Sequence, residues 1–336
     1  MKSTTLYLRS ETKHLERRSA LSPASAKALL DAGFHVNVEH SSRTIYKDEG
    51  FAAVGATLVP EGSWPTAPKD HIIVGLKELP EDGTPLHHSH IQFGHCYKEQ
   101  DGWATLRRCA ASLLAWFHQI AHSVTPLGTV PLYPSAPALV ADVKSRITSA
   151  LAQNDDRQPR IIVIGALGRC GNGAVDFCLA AGVPESSILK WDMAETARGG
   201  PFPEISAADI LINCVYLGAT PIPPFVTRDS LSEPGRKLRV VCDVSCDPNS
   251  TNNPVPIYTE YSTFLKPTRP VLVGDDSPAL TVLSIDHLPT LVAGEASDEF
   301  PRLLLPSLKT LDRRDDDGVW KRAEKKYLEV VEKLPA

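Results

Sequence analysis

The run Gly165-Ala166-Leu167-Gly168-Arg169-Cys170-Gly171 is the part of this chain whose residue types and spacing speak most directly of chemistry. It follows the apolar stretch Ile161-Ile162-Val163-Ile164 and opens onto residues 172–181, which read as a helix. Glycines at a strand-to-helix turn let the backbone approach a pyrophosphate, whose charge then rests on exposed N–H groups of the helix N-terminus. The spacing G-x-x-G-x-x-G departs from the commoner G-x-G-x-x-G, so the strand-turn-helix context carries the reading more than the pattern does. Asp192 closes the next apolar run 21 residues after Gly171, where a carboxylate can accept from both ribose hydroxyls and repel a 2′-phosphate. The expectation is a site for NAD rather than NADP, with Gly165, Gly168 and Arg169 at the pyrophosphate or ribose and Asp192 at the adenosine ribose.

Three segments of the first half of the chain hold polar groups at predicted strand ends. Arg18 precedes Leu21-Ser22-Pro23, Lys77 stands in Gly75-Leu76-Lys77-Glu78, and His95 in Gln92-Phe93-Gly94-His95-Cys96-Tyr97-Lys98. Taken singly, each has a plain alternative. A lone arginine or lysine is by default a solvated surface group, and a lone histidine after a strand is more often a satisfied structural one.

Alternating strands and helices must hold these groups. Residues 5–9 read as a strand, and residues 24–32 as a helix that Ser22 can cap, with Pro23 in its first turn and Gly33 at its close. Residues 34–39 alternate apolar and polar, and residues 71–76 and 90–93 are short runs bounded by turn residues. Five prolines and glycines (Pro126, Gly128, Pro131, Pro134, Pro137) make residues 123–137 a stiff crossover. After a helix at 138–152, the runs 160–164, 188–191, 210–215, 238–244 and 282–285 are nearly continuous apolar stretches, as parallel sheets bury. The expected fold is α/β, with two Rossmann-like domains of parallel sheet and cofactor and substrate in the cleft between them. The expected bounds are 1–136 for the catalytic and substrate domain and 137–320 for the nucleotide domain, with a helix at 321–335 packing back on the first.

Whole-chain properties exclude several classes. At 336 residues there is room for two cores. The balance of 35 basic against 40 acidic residues, without a Lys/Arg block, argues against nucleic acid as a partner. Arg9, Glu11, Lys13, Glu16, Arg17 and Arg18 interrupt any signal-peptide core, and no apolar run reaches the roughly 18 residues needed to cross a bilayer. Seven cysteines form no CxxC pair and no framework spacing, which suits a reducing compartment. A cytoplasmic protein with no membrane partner is expected, acting as a monomer.

The longer wording is more specific. Residues 15–23 (Leu-Glu-Arg-Arg-Ser-Ala-Leu-Ser-Pro), Gly75-Leu76-Lys77-Glu78, His90-Ile91-Gln92-Phe93-Gly94-His95-Cys96-Tyr97-Lys98 and the glycine run at 165–171 resemble the lysine-forming saccharopine dehydrogenases of fungi. So do Lys190-Trp191-Asp192, Arg198-Gly199-Gly200-Pro201-Phe202, Asn213-Cys214-Val215-Tyr216-Leu217 and Ser284-Ile285-Asp286-His287-Leu288-Pro289, and the resemblance spans nearly the whole chain. It implies reversible oxidative cleavage of saccharopine by NAD to lysine and 2-oxoglutarate, the last step of the aminoadipate route to lysine. It further implies Lys77 as base toward the secondary amine, His95 as the group handling protons during hydrolysis, and Arg18 at a substrate carboxylate. Gln100, Gly168, Arg169, Asp192, Thr196, Tyr216, Val244, Ile285, Asp286, His287 and Leu288 resemble the cofactor shell, and Ser245, Cys246 and Asp247 the substrate edge. Asp286 and His287 have a local alternative as a cap before Pro289.

The chain also departs from the family pattern. Family members continue past the His-Cys-Tyr-Lys segment with a Gly-Arg-Arg-Val run and a Phe-Gly-Phe-rich helix start. Here Trp103-Ala104-Thr105-Leu106-Arg107-Arg108-Cys109 passes almost directly into Ala110. Loss of paired arginines would remove charge-assisted bonds of roughly 1.5–3 kcal/mol each from a substrate with three carboxylates. A catalytically impaired NAD-binding paralogue, a truncated isoform, and an imine reductase on a smaller substrate therefore stand as alternatives. Cys170 and Cys214 both fall on the expected cofactor edge, where two thiols could meet.

Overall fold

The computed structural model describes residues 4–77, 79, 86–92, 103–122, 125–217, 221–245, 248–274, 278–316 and 318–332, with main chain alone at 103–109, 288, 330 and 331. These residues divide into two compact units, Met1–Gly94 with Ala293–Ala336, and His95–Val292.

In the first unit, β1 (Thr5–Leu8), β2 (His35–Glu39), β3 (Thr57–Val59), β4 (Ile72–Val74) and β5 (Ser89–Ile91) form one sheet. Its order is β3-β2-β1-β4-β5, and every pair is parallel. Register aligns Leu6 with Val36 and Ile72, and Leu8 with Val38 and Val74, so these six apolar side chains share one face. That face is buried with Ala26 and Leu29 of α1 (Pro23–Leu30) and Phe51 of α2 (Asp48–Ala53). Helix α1 begins where the sequence predicts it: the Ser22 hydroxyl accepts the Ser25 N–H at 3.2 Å, and Pro23 occupies the first turn.

The second unit opens with α3 (Trp103–Ala121) and α4 (Ala136–Ala152). Its sheet contains β6 (Ile161–Ile164), β7 (Ile188–Trp191), β8 (Ile210–Asn213), β9 (Val240–Asp243), β10 (Arg269–Val271) and β11 (Leu280–Leu283). The order is β10-β11-β9-β8-β6-β7, parallel throughout except that β10 runs antiparallel to β11. Strands β6, β8 and β9 are buried at every position, which is why they read as uninterrupted apolar runs. Proline at 270 hid β10 from a pattern reading; it is tolerated because this is an edge strand. The crossing helix is α5 (Arg169–Ala180), which begins three residues before the expected start, and α6 (Met193–Thr196), α7 (Pro203–Ser206) and α8 (Arg228–Ser232) are short.

The unit bounds differ from the expected 136/137 boundary, and specific contacts explain why. Helix α3 packs along α5 and α4, and Gln119 donates to the Arg239 carbonyl at 3.3 Å and to the Thr281 hydroxyl at 2.9 Å. Residues 125–135 of the proline-rich stretch are non-helical as expected, whereas Pro137 falls in the first turn of α4, and the stretch is tied to the second unit by Val130 N–H on the Phe264 carbonyl and Tyr133 N–H on the Leu291 carbonyl.

At the other end, α9 (Ala293–Leu308) belongs to the first unit rather than to the nucleotide domain. Leu308 and Leu311 enter the core under the first sheet, with Phe300, Leu304 and Leu305 packed against it. Two prolines inside this helix, Pro301 and Pro306, concealed it. Helix α10 (Val319–Val331) was expected to pack back along its length. Trp320 does dock on the first-unit core, its indole N–H shared between the Ser307 carbonyl and the Thr310 hydroxyl, but residues 321–328 are exposed.

Because Leu308 is fully buried in the first-unit core, Leu308→Ala should lower unfolding free energy by about 3 kcal/mol. Denaturant titration measures this, and a loss below about 1 kcal/mol would make α9 peripheral.

Candidate active site

In both sheets the crossovers on either side of one strand leave in opposite directions, and the carboxyl ends of those strands collect polar groups. In the first unit this reversal lies between β1 and β4, the kind of place where open α/β sheets bind ligands. Arg9 and Glu11 follow β1, Glu39 ends β2, and Lys77 follows β4; all four are buried. The Glu11 carboxylate accepts the N–H of Leu76 at 2.6 Å and of Lys77 at 3.0 Å. Arg9 donates to the Lys77 carbonyl and lies 3.4 Å from Glu11. Glu39 accepts the N–H of Ser10 at 2.9 Å and of Trp64 at 2.7 Å. Burial pushes the Glu11 carboxyl up; Arg9 and the two backbone donors pull it down, and nearby Glu16 adds to the rise.

Arg18 is held in the same unit by a bidentate pair with Glu16, Nε to Oε1 at 2.8 Å and Nη2 to Oε2 at 2.6 Å. This places a fixed guanidinium where a carboxylate was expected to bind, with two of its nitrogens already committed. The sequence reading proposed Lys77 and Arg18 and did not single out Arg9, Glu11, Glu16 and Glu39. The usable signal was the Arg9-x-Glu11 pair standing directly after β1, as Lys77 stands after β4. His95 and Gln100 lie outside the described residues, as do Cys246 and Asp247.

The second unit builds a crevice between the ends of β6 and β8. Gly168, Arg169, Cys170, Cys214, Tyr216, Val244 and Ser245 line it, together with Val215 and Leu217. Gly165 sits at φ +81°, and a Cβ there would stand 2.8 Å from the Cys214 carbonyl oxygen. A Cβ on Gly171 would fall 2.1 Å from the Gly165 carbonyl oxygen, so α5 can approach the turn this closely only with glycine. Gly168 is the N-cap of α5 and brings no side chain to the helix start, and no acidic residue occupies the first turn. That is the arrangement an anion requires.

Asp192 follows β7 and caps α6. One carboxylate oxygen accepts the Leu167 N–H at 2.9 Å, so the acid also pins the glycine turn. The Thr196 hydroxyl donates to the Asp192 carbonyl. Leu167 and Met193, on either side of that carboxylate in hydrogen-bond terms, are 76% and 82% exposed, apolar surface of the kind a purine covers; the sequence reading did not single them out. Tyr216 is exposed at the rim, whereas Val244 and Ile285 are buried. Beneath the crevice, Asn213 donates to Asp243 at 2.9 Å and to Ser245 at 3.4 Å, and the Tyr258 hydroxyl donates to Asp243 at 2.6 Å. This network fixes the ends of β8 and β9.

Following β11, Asp286 and His287 are hydrogen-bonded at 2.7 Å, and the buried His287 Nε2 has no partner among the described residues. A buried nitrogen without a protein partner at the carboxyl edge is a group that a ligand can satisfy. Of Leu288 only the main chain is described, at the start of a short 3-10 turn. Cys170 and Cys214 are present as half-buried thiols on the same crevice. No cluster of three or more metal-ligating side chains occurs among the described residues, and no helix among them is long and apolar enough to cross a membrane. The turn, the helix N-terminus, Asp192 and His287 fit a dinucleotide.

Comparison with known proteins agrees with this geometry. The family profile for the alanine dehydrogenase/PNT N-terminal domain matches residues 7–116. Saccharopine dehydrogenase [NAD(+), L-lysine-forming] of Schizosaccharomyces pombe is 47% identical over 364 residues, covering 98% of this chain and 99% of the relative. Its namesake in Neurospora crassa is 49% identical over 369 residues, covering 100% of this chain and 98% of the relative. This chain belongs to the saccharopine dehydrogenase family. Among solved structures, L-alanine dehydrogenase superimposes with TM-score 0.60 at 17% identity over 93% of this chain and 91% of that one. A transhydrogenase from Sinorhizobium meliloti superimposes with TM-score 0.56 at 17% identity over 91% and 93%. Both support the two-sheet α/β fold. The Neurospora comparison runs over 369 positions against the 336 residues of this chain, a difference of 33; this saccharopine dehydrogenase family member is therefore shorter internally, in keeping with the departure from the family pattern.

One titratable group beside the first-unit cluster has a measurable consequence. His90 on β5 packs edge-on against Trp64 at 5.3 Å. Burial first, then His88 and Arg9, lower its imidazole from 6.5 to about 4. Since the unfolded chain takes up this proton near 6.5 and the folded unit refuses it until about 4, the stabilisation is present above pH 6.5 and lost as pH falls through that window. Replacing His90 by Phe should flatten the fall in urea midpoint between pH 7 and pH 4.5; parallel curves for the two proteins would assign the acid sensitivity elsewhere.

Proposed function

We propose that this protein is an NAD-dependent saccharopine dehydrogenase of the lysine-forming type, catalysing the last step of the aminoadipate route to lysine. The observation that carries the proposal is identity of 47–49% across essentially the whole chain to fungal proteins of that name. The reading takes the enzyme as a cytoplasmic monomer whose partners are saccharopine, lysine and 2-oxoglutarate.

Bound NAD supplies the hydride acceptor. Gly165, Gly168 and Arg169 receive the pyrophosphate at the start of α5, and Asp192 takes the adenosine ribose hydroxyls, its charge disfavouring a 2′-phosphate. Thr196, Tyr216, Val244, Ile285, Asp286, His287, Leu288 and Gln100 complete the cofactor shell on the family resemblance. Hydride can leave the substrate carbon only once the adjoining secondary amine is neutral, and Lys77 is the base that takes this proton. Its burial at 2% exposure supports the role, because removal from water disfavours the charged form of an amine. His95 is assigned activation of the water that cleaves the resulting imine, and the same exchange of protons releases lysine as an amine and 2-oxoglutarate as a ketone. Arg18 offers its remaining guanidinium edge to a substrate carboxylate, with Ser245, Cys246 and Asp247 at the substrate edge.

The deciding experiment is NADH oxidation in the presence of lysine and 2-oxoglutarate, run beside NADH-binding calorimetry. Turnover is expected, whereas tight binding without turnover would overturn the enzymatic reading and implicate the shorter chain. Lys77→Met should reduce turnover by at least about a thousandfold with NADH affinity unchanged; an equal loss of both would make Lys77 structural. Asp192→Ala should weaken NAD by about 10- to 100-fold and NADP much less, and equal losses would remove Asp192 from the ribose.

A further inference from the structure

The ends of β1 and β4 pair as far as Arg9, whose N–H donates to the Val74 carbonyl at 3.0 Å. Beyond that point the two chains diverge, and the N–H groups of Leu76 and Lys77 and the carbonyl of Lys77 lose their strand partner on this side. Left unpaired in a buried place, such groups are costly. The side chains of Arg9 and Glu11 take over the pairing. Glu11 receives both N–H groups, one on each carboxylate oxygen, and Arg9 donates to the carbonyl. Arg9 and Glu11 are each 3% exposed, so this is an interior arrangement and not a surface ion pair.

The geometry has a particular effect. The N–H of Lys77 belongs to the peptide plane before its Cα, and its carbonyl belongs to the plane after. Holding both planes fixes φ and ψ of Lys77 and hence the direction in which its Cβ leaves the chain. Gly75 completes the device. A Cβ at this position would lie 2.3, 2.6 and 2.7 Å from the Nε, Cζ and Nη2 of Arg9. Only glycine lets the guanidinium cross the β4 extension to reach the Lys77 carbonyl.

We propose that Arg9 and Glu11, with Gly75 as the gap through which Arg9 passes, are positioning residues that aim the Lys77 side chain. The inference rests on the reading of Lys77 as the base of the reaction. A buried ion pair adds little net stability when weighed against its desolvation, so its value here is directional: an error of about 1 Å in a reacting group costs on the order of a hundredfold in rate. The pair also sets one positive and one negative side chain against the Lys77 main chain. Among the described residues at this end of the unit, Glu16 pairs with Arg18, Glu39 accepts from two backbone donors, and burial lowers the His90 imidazole to about 4. Removing Arg9 leaves Glu11 uncompensated and favours the ammonium of Lys77; removing the charge of Glu11 leaves Arg9 uncompensated and favours the free amine.

The test uses full-length Arg9→Met, Glu11→Gln, Gly75→Ala and the double variant Gly75→Ala/Arg9→Met. Three quantities are read: kcat, NADH affinity, and the pH midpoint of Lys77 from competitive amine labelling with mass spectrometry, which requires no turnover. Each single variant should lower kcat about 10- to 100-fold with NADH affinity within about twofold. The labelling midpoint should rise in Arg9→Met and fall in Glu11→Gln, while Gly75→Ala, which keeps every charge, loses rate with little shift. In the double variant Gly75→Ala should add nothing, because the guanidinium it obstructs is gone. Multiplicative losses in the double variant, or midpoints that move together or not at all, would overturn the proposal and leave the pair as scaffold. If Arg9→Met fails to fold, Glu11→Gln and Gly75→Ala still decide: the proposal requires a fallen midpoint in the first and an unshifted one with lost rate in the second. Lys77→Met is the control that separates the two readings, since turnover surviving that change would refute Lys77 as base whatever the labelling showed.

Discussion

A parallel sheet must send its connections across one face or the other, and where the direction changes, the carboxyl ends of two adjacent strands part company. In each unit of this protein polar groups gather at such a parting. Between β1 and β4 it holds Arg9, Glu11 and Lys77; between β6 and β8 it holds the glycine turn and the Cys214–Tyr216 segment. The strands below each opening are apolar and buried, so the polar groups stand on a rigid floor. The same parting that makes room for a ligand also strands backbone donors and acceptors, and the two units satisfy them differently.

In the second unit the start of α5 has no side-chain cap. Gly168 contributes no side chain to the start of α5, and Gly165 and Gly171 allow the turn to collapse against the helix so that the N–H groups face outward. Asp192 stiffens the turn through the Leu167 N–H, and the Asn213, Asp243, Ser245 and Tyr258 network stiffens the neighbouring strand ends. In the first unit the protein supplies the partners itself, with ionised side chains. Buried charge is expensive unless paired and hydrogen-bonded, and Arg9, Glu11, Glu16, Arg18 and Glu39 all meet that condition. The first unit thus keeps its buried charges hydrogen-bonded within itself, while the second leaves a helix start with no acidic residue in its first turn.

Local signals were legible from the residues alone. The glycine turn is read within seven residues, because its requirements concern φ and close approach of neighbours in the chain. Ser22-Pro23 announces α1 for the same reason, and the strands of the second sheet are plain because burial on both faces leaves nothing but apolar side chains. Lys77 and Arg18 were found as types at strand ends. Tertiary structure decided what lies far apart in sequence: Glu11 meets its two donors across 65 and 66 residues, and Arg9 meets the Lys77 carbonyl across 68. Composition cannot show which of several acidic and basic residues near the N-terminus will stand over a strand end that arrives so much later. The unit bounds were hidden likewise, since α9 returns to the first core only through Leu308 and its neighbours and carries prolines that mask its period. Side-chain periodicity reports the environment of one element, whereas the partner that completes a site is chosen by the path of the whole chain.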